Sequence, residues 1–273
     1  MIPSFKDFSY SEINEFWGAV IRRDMSSAVR EEDKFHNKEE IRDYLEKEIN
    51  KQGEDVVIKD LDVSGIGDLS YLFKDLLDDV ETLDLSGWNL DGVKSIRYMF
   101  CDCENLKSLD LTGWDTSGVE DMSDVFRDCE KLKTLDLTDW NTGSVEDMGG
   151  MFFNCYSLEE LDLNSWDVSN VHSIEDMFHS CFKLKSLDVS GWDTHNVTDM
   201  RGVFWGCEKL KSLDLSGWET GKVTDMCWMF HACENLESLD LSGWETNSIA
   251  EKDFMFTGWY APYRVVDNKI VRR

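Results

Sequence analysis

The feature that most constrains the fold of this chain is a repeat of 26 residues that runs through most of it without an insertion or a deletion. One unit reads LDLTGWDTSGVEDMSDVFRDCEKLKT, at residues 109–134. Three columns show the step: Trp88, Trp114, Trp140, Trp166, Trp192, Trp218 and Trp244; Phe100, Phe126, Phe152, Phe178, Phe204, Phe230 and Phe256; Cys103, Cys129, Cys155, Cys181, Cys207 and Cys233. Such a step is typical of solenoids, whose units bury a core only by stacking on their neighbours.

The pattern inside one unit predicts the shape of a coil. In LDL at residues 109–111 the leucines alternate with aspartate, which predicts a short strand with leucine inward. A Gly–Trp–Asp turn signal follows, and Met122, Phe126 and Cys129 then keep the spacing of one or two helical turns. The expected fold is an α/β repeat solenoid of the leucine-rich-repeat type, with about eight coils of 26 residues, short strands and short helical turns.

Cysteine recurs once per unit at an inward position, and the chain has 8 cysteines in all. A stacked column of thiols need not meet disulfide geometry, whereas a free cysteine behaves as a small buried hydrophobe. We therefore expect reduced, buried thiols. Cys101 and Cys103 form a C-x-C pair, but no second pair or nearby histidine completes a zinc set, so no metal site and no cofactor are predicted.

The units resemble the DUF285, or BspA-like, repeats of bacterial surface proteins. The resemblance rests on LDVSGWDTHNVTDMRGVFWGC at 187–207 and LDLSGWETGKVTDMCWMFHAC at 213–233, and it covers roughly residues 56–257. It implies a leucine-rich-like solenoid and a role in adhesion or other protein binding, often at a cell surface. No wall-anchoring tail is visible here, and this departs from the surface-displayed pattern.

The ends of the chain read as caps, which a solenoid needs because a terminal coil would expose its core. A helix is predicted to begin near Ser11, and a second one after Asn37, with Gly53 closing it. We expect a helical N-terminal cap over 1–55, the solenoid over 56–257 with regular repeats from 83, and a C-terminal cap over 258–273. Within the last segment VVDNKIV is expected to form a closing strand.

Charge and hydropathy narrow the possible partners and the location. The chain has 28 basic and 56 acidic side chains, a net charge of −28, which repels nucleic acid and anionic membranes and favours basic partners or cations. No apolar run is long enough to cross a membrane. The first residues lack a basic and an apolar region, so no signal peptide is expected. The expected location is the cytoplasm, or the cell surface if the chain was trimmed.

The outward residues of the predicted strands form the main candidate binding site, a row of aspartates one coil apart. Stacked carboxylates repel one another unless something compensates. Each can accept backbone N–H groups of the adjoining turn, a cation can sit between coils, or a basic partner can lie along the row. The row is Asp84, Asp110, Asp136, Asp162, Asp188, Asp214 and Asp240.

Two further rows are less specific. Asp121, Asp147, Asp199 and Asp225 precede the predicted helical turns and are interpreted as helix N-caps, with calcium as the alternative. The periodic tryptophans fit coil-to-coil packing. Off-period aromatics are not needed by the scaffold, so they are a second candidate for partner contact: Trp205, Trp228 and Trp259, with Phe153, Tyr156 and Phe182.

Catalysis finds little support, because no nucleophile elbow, P-loop or dinucleotide fingerprint occurs and the acidic rows keep the repeat symmetry. We expect a non-enzymatic scaffold that binds a protein partner with a basic surface, without contacting nucleic acid directly or entering a membrane. Two alternatives stay open. The chain could be an acidic mimic of nucleic acid that inhibits a DNA- or RNA-binding protein, or a calcium-stabilised adhesin.

Overall fold

The structure is a computed structural model that describes residues 34–241, 244, 254–256, 263–266 and 269–272. The chain divides into two compact units, 1–36 and 37–273, and the description below concerns the second. The helix predicted near Ser11 lies outside the described residues.

Helix α1 spans Lys38–Gln52 and follows from local sequence signals, as predicted. The side chain of Asn37 accepts the N–H of Glu40 at 3.0 Å and so caps the first turn. Ile41, Leu45 and Ile49 are buried along one face. Gly53 ends the helix in a left-handed conformation, φ 78°, and its N–H still bonds the carbonyl of Ile49.

The strands of the repeats are three residues long and parallel, and they lie in the first three and the last two coils that the structure describes. β1 (Asp55–Val57), β2 (Thr82–Asp84) and β3 (Ser108–Asp110) form one sheet; β4 (Ser212–Asp214) and β5 (Ser238–Asp240) form another. Isolated bridges link the equivalent positions Thr134, Glu160 and Ser186 between them. Leu83 and Leu109 face inward in register, so the predicted strand and its inward leucine are confirmed.

A second set of parallel bridges runs through Asp121 and its equivalents, from Asp68 to Asp225. The segment that follows each bridge was predicted to be helical, and this is wrong. Within the described residues of the repeats there is no helix. These segments are turns instead. We call the surface formed by residues 121–129 and their equivalents in the other coils the turn face.

The backbone of the turn face explains the correction. The N–H groups of Asp124 and Phe126 donate to carbonyls of the next coil, at 2.8 and 2.9 Å, instead of to carbonyls four residues back. The N–H groups of Arg127 and Cys129 donate to carbonyls three residues back in the chain, as in tight turns. Asp124 and Asp128 are left-handed, φ 56° and 60°, which breaks any helix. Consecutive turns of this kind place the same residues inward as a helix would, so periodicity could not separate the two.

The core consists of columns that run from coil to coil. Phenylalanine rings from Phe73 to Phe256 stack on one another with centroids 5.1–5.8 Å apart. All eight cysteines are buried and free, as predicted, and their thiols contribute to the stack because Cys155 donates to the carbonyl of Phe126 at 3.2 Å. Burial raises the pKa of the Cys155 thiol well above its usual value. The periodic phenylalanines and cysteines therefore have the structural role that the repeat predicts, which is packing between coils.

Within the described residues no coil precedes the first one, and helix α1 supplies hydrogen-bond donors to its carbonyls. In later coils the carbonyls equivalent to those of Ser70, Leu72 and Lys74 accept N–H groups of the preceding coil. Here Lys38 donates to Ser70, and Arg42 donates to Leu72 and Lys74, at 2.7–2.9 Å. The end of the solenoid is therefore satisfied by two side chains of one helix face.

Near the C-terminus the expected single strand is replaced by two. β6 (Tyr263–Val266) pairs antiparallel with β7 (Lys269–Arg272). Only Asp267 and Asn268 separate them, and these residue types favour a reversal between two β-branched runs.

Candidate functional site

The candidate site predicted from the sequence lies on the exposed surface of the parallel strands, which we call the sheet face. Asp110, Asp136, Asp162, Asp188 and Asp214 are all exposed on it, one coil apart. Asp84 is half-buried at the first end. Asp240 is the last residue of β5, and its side chain is outside the described set.

Each described carboxylate of this row is held by its own turn. Oδ1 accepts the N–H group two residues further on, at 2.9–3.1 Å, for Asp84, Asp110, Asp136, Asp162, Asp188 and Asp214. Hydroxyls add a second donor in several coils, such as Thr138 to Asp136 at 2.7 Å. Of the three compensations considered for the stacked charges, the bond to a backbone N–H is thus present in the structure. It engages Oδ1 of each carboxylate and leaves Oδ2 out of the turn.

In two coils these bonds favour the charged form of the carboxylate. The hydroxyl and N–H of Thr138 lower the pKa of Asp136 below its ordinary value, and those of Ser216 do the same for Asp214. A carboxylate with a lowered pKa carries its full charge at neutral pH. The sheet face therefore presents a fixed line of negative charge.

One end of the row is already in contact with a cation. The ammonium of Lys59 lies 2.7 Å from Oδ2 of Asp84. Burial raises the pKa of Asp84, but the bonds from Lys59 and Ser86 outweigh it and the net shift is downward. Asp84 thus uses one oxygen for its turn and the other for a lysine.

The middle of the sheet face is hollowed. A depression of about 450 Å³ is bordered by Asp136, Glu160 and Asp162, and a second of about 220 Å³ continues from Asp162 to Asp188. Both are shallow, open and floored by the strand leucines, so they fit side chains of a partner surface better than an enclosed small molecule.

The second acidic row behaves differently from its prediction. Asp121, Asp147, Asp199 and Asp225 do accept the N–H two residues on, at 2.8–3.0 Å. They close turns rather than cap helices, because no helix follows. Burial raises the pKa of Asp147, and the neighbouring Asp121 adds to this.

The off-period aromatics form a ladder of rings on the turn face, which we call the aromatic stripe. His179 stacks between Phe153 and Trp205, with centroids 4.4 and 4.5 Å away, and Trp205 contacts Trp228 at 5.5 Å. Trp228 is 37% exposed and contacts Phe254, which is 50% exposed. The structure thus brings Trp205 and Trp228 together, as the hypothesis of a shared surface requires.

Two of the predicted aromatic residues are not part of the aromatic stripe, and one member of the stripe was not predicted. Tyr156 and Phe182 stack on each other, at 5.1 Å, as a separate pair. Trp259 lies outside the described residues. Sequence reasoning did not include His179 in the stripe, although it shares the repeat position of Phe153 and Trp205.

A polar pocket of about 290 Å³ on the turn face was also missed. Its walls come from four successive coils, and Gly149 and Gly150 lie at its centre. The available signal was the Gly–Gly pair, since every other coil has at least one side chain at these two positions.

Metal binding has one geometric candidate among the described residues. Cys101, Asp102 and Asp128 could bring three ligand atoms within 4.8 Å of one another. Burial raises the pKa of the Cys101 thiol far above its usual value, with Asp102 adding to this, and a coordinating thiol must lose its proton. The set therefore favours a protonated thiol. Within the described part of the chain, no helix is long and apolar enough to span a membrane.

Comparisons with known proteins agree with the repeat pattern. The family described as "Mycoplasma protein of unknown function, DUF285" matches three tandem segments, 23–109, 101–190 and 182–262. No curated protein matches the chain. Among solved structures, an internalin (inlF) from Listeria monocytogenes is similar with 15% identity and a TM-score of 0.28, covering 80% of this chain and 72% of that one. Since the family matches most of the sequence, the chain belongs to the DUF285 family.

Proposed function

We propose that this chain is a non-enzymatic scaffold for protein recognition, and that its sheet face binds a partner with a basic surface. The single observation that carries the proposal is the contact of Lys59 with Asp84, because it places a lysine ammonium on the same row that the proposed partner would occupy. The remaining described aspartates of the row repeat the turn bond of Asp84 through Oδ1, and all of them are exposed.

The charge and form of the sheet face support this proposal. Fixed carboxylates one coil apart offer a partner a regular set of acceptors, and their side-chain positions are set by the turns before binding. Preorganised charge of this kind raises association rates and selects basic surfaces. The two depressions beside Asp136 and Asp162 would admit the aliphatic stems of lysine or arginine side chains.

The aromatic stripe is a second proposed contact. Trp228 and Phe254 expose rings that the repeat does not require, and aromatic residues are enriched among those that dominate binding energy. We propose a reducing compartment, the cytoplasm, for this activity, since eight buried free thiols suit such conditions.

The test begins with capture of partners from the host lysate by the tagged full chain, with nuclease present, in low and high salt. The partner recovered is then purified and its affinity measured for the double variant Asp136→Asn with Asp162→Asn. Each asparagine keeps an oxygen to accept the turn N–H, so the fold is retained while two charges are lost. We expect affinity to fall at least about tenfold and the salt dependence to weaken.

The matched control removes the same charge elsewhere. Asp91→Asn with Glu104→Gln changes two exposed carboxylates that are not in the aspartate row. If both double variants weaken binding equally, only net charge matters and the sheet face is not the site. Unchanged affinity in the Asp136 and Asp162 variant would also refute the proposal.

A further inference from the structure

The pocket on the turn face lies where the repeat loses two side chains. Successive coils carry Arg97–Tyr98, Ser123–Asp124, Gly149–Gly150, Glu175–Asp176 and Arg201–Gly202 at the same two positions. Only the middle pair lacks both side chains, and the pocket of about 290 Å³ opens there.

The two glycines have different roles. A Cβ on Gly150 would lie 2.2 Å from Oδ1 of Asp124, so the carboxylate of Asp124 already covers that glycine. A Cβ on Gly149 would lie 3.2 Å from Oδ1 of Asp147 and 3.4 Å from the hydroxyl of Ser173. A side chain entering beside Gly149 would thus meet hydrogen-bond acceptors.

The charges of the pocket are unbalanced. Four carboxylates line it, against two guanidinium groups. Arg127 pairs with Asp124 at 3.0 Å, and Glu175 pairs with Arg201. Asp147 accepts the N–H of Gly149 at 2.8 Å, and within the described chain no basic side chain forms an ion pair with it.

The chain itself shows what occupies this position elsewhere. Two coils further on, the residue equivalent to Gly149 is Arg201, whose N–H bonds Asp199 as that of Gly149 bonds Asp147. Its guanidinium contacts Glu175 and lies 3.9 Å from Asp176. The turn face therefore accepts a guanidinium at the repeat position that glycine leaves open at 149.

A planar cation also suits the edge of the pocket. Arg127 lies with its guanidinium carbon 3.9 Å from the ring centre of Phe153, which begins the aromatic stripe. On the other side Arg97 lies 4.9 Å from the centre of Tyr98. Guanidinium groups stack on aromatic faces more readily than ammonium groups do.

We propose that the pocket at Gly149 binds an arginine side chain of a basic protein partner, with Asp147 as its principal acceptor. The proposal rests on the proposed function in that the partner is a basic protein, and it names a second contact on a different face. Carboxylates recognise guanidinium through paired hydrogen bonds, so arginine is preferred over lysine. Binding would also pair the half-buried carboxylate of Asp147 with a cation.

The experiment uses the full chain and a short fluorescein-labelled peptide of alternating glycine and arginine, compared with its lysine counterpart, by fluorescence anisotropy. The first variant is Gly149→Arg, which fills the pocket with the side chain found at the equivalent position 201. We expect affinity for the arginine peptide to fall about tenfold and the preference over lysine to disappear. Gly118→Arg is the matched control: it adds the same charge at a glycine whose Cβ would meet only the carbonyl of Val93, at 3.5 Å.

A second variant guards against misfolding of the first. Asp147→Asn keeps an oxygen for the Gly149 N–H and removes the charge, so it too should abolish the preference for arginine. No preference in the unmodified chain overturns the inference, and so do equal losses in the Gly149 and Gly118 variants. The double variant Asp136→Asn with Asp162→Asn separates the two proposals. If it lowers the affinity for both peptides equally while Gly149→Arg changes neither affinity, the binding role of the sheet face is supported and that of the pocket is refuted. The reverse result refutes the sheet face and supports the pocket.

Discussion

The Nη1 atom of Arg42 lies 2.7 Å from the carbonyl oxygen of Leu72, a group that in later coils is bonded by the preceding coil. Loss of this side chain would leave carbonyls at the first coil without their donor. We expect Arg42→Ala to lower the free energy of unfolding by about 1–3 kcal/mol, measured in urea. Glu46→Ala on the exposed side of α1 is the control, and an equal loss there would show that helix propensity alone is responsible.

A second prediction concerns two tryptophans of the same column. Nε1 of Trp114 donates to the carbonyl of Leu85 at 2.9 Å, whereas Nε1 of Trp140 is buried without a partner. Replacing either with phenylalanine keeps an aromatic ring and removes the N–H. Trp114→Phe should therefore cost about 1 kcal/mol more than Trp140→Phe. Equal unfolding free energies for the two variants would contradict the difference in bonding.

A third prediction separates two adjacent glycines. Gly150 is left-handed, φ 61°, and its Cβ would collide with Oδ1 of Asp124 at 2.2 Å, whereas the Cβ of Gly149 would lie 3.2 Å from Oδ1 of Asp147, which needs only a small shift of that side chain. Gly150→Ala should lower stability by more than about 1–2 kcal/mol, and Gly149→Ala should cost less. Thermal unfolding of the two variants side by side makes the comparison. A tolerated alanine at 150 would show that the turn can adopt another backbone conformation.

A fourth prediction concerns pH. Burial raises the pKa of Glu175 to about 7, and hydrogen bonding and repulsion from Asp199 add to this, which together outweigh the nearby Arg201. The folded state then holds a proton that the unfolded state releases near its ordinary value of 4.5. Stability contributed by this group is present at low pH and is lost as pH rises through about 7.

The measurement is unfolding by urea between mildly acidic and neutral pH. Glu175→Gln should flatten the dependence of stability on pH in that window. Glu146→Gln, an exposed side chain one coil earlier, should leave the dependence as it is. If the free energy of unfolding of the Glu175 variant depends on pH as steeply as that of the unmodified chain, Glu175 is not the group responsible.

Much of the fold was predictable because the repeat makes the inward residues unambiguous. The strand at each LxL, the buried cysteines, the tryptophan packing and the helix after Asn37 all follow from spacing and residue type. The aspartate row was located correctly as well, since residues that alternate with inward leucines must face outward. Its use as a binding site is still a prediction.

Other features could not be read from the chain. Helical spacing at Met122, Phe126 and Cys129 is the same for a helix and for two consecutive turns, and the choice depends on where the intervening N–H groups find acceptors. Those acceptors belong to the next coil, so a single unit contains no information about them. His179 and the pocket at Gly149 are different, because comparing the units with one another carries a signal for each, and that signal was missed.

The sequence by itself determined which side of each coil is apolar, which residues repeat and where charge accumulates, because these depend on side-chain chemistry and period alone. Only the tertiary structure decided that Asp147 forms no ion pair within the described residues, that Lys59 pairs with Asp84, and that four coils form one pocket around Gly149. Those relations join residues about 26 positions apart. They exist only once stacking has set the lateral register of one coil on the next.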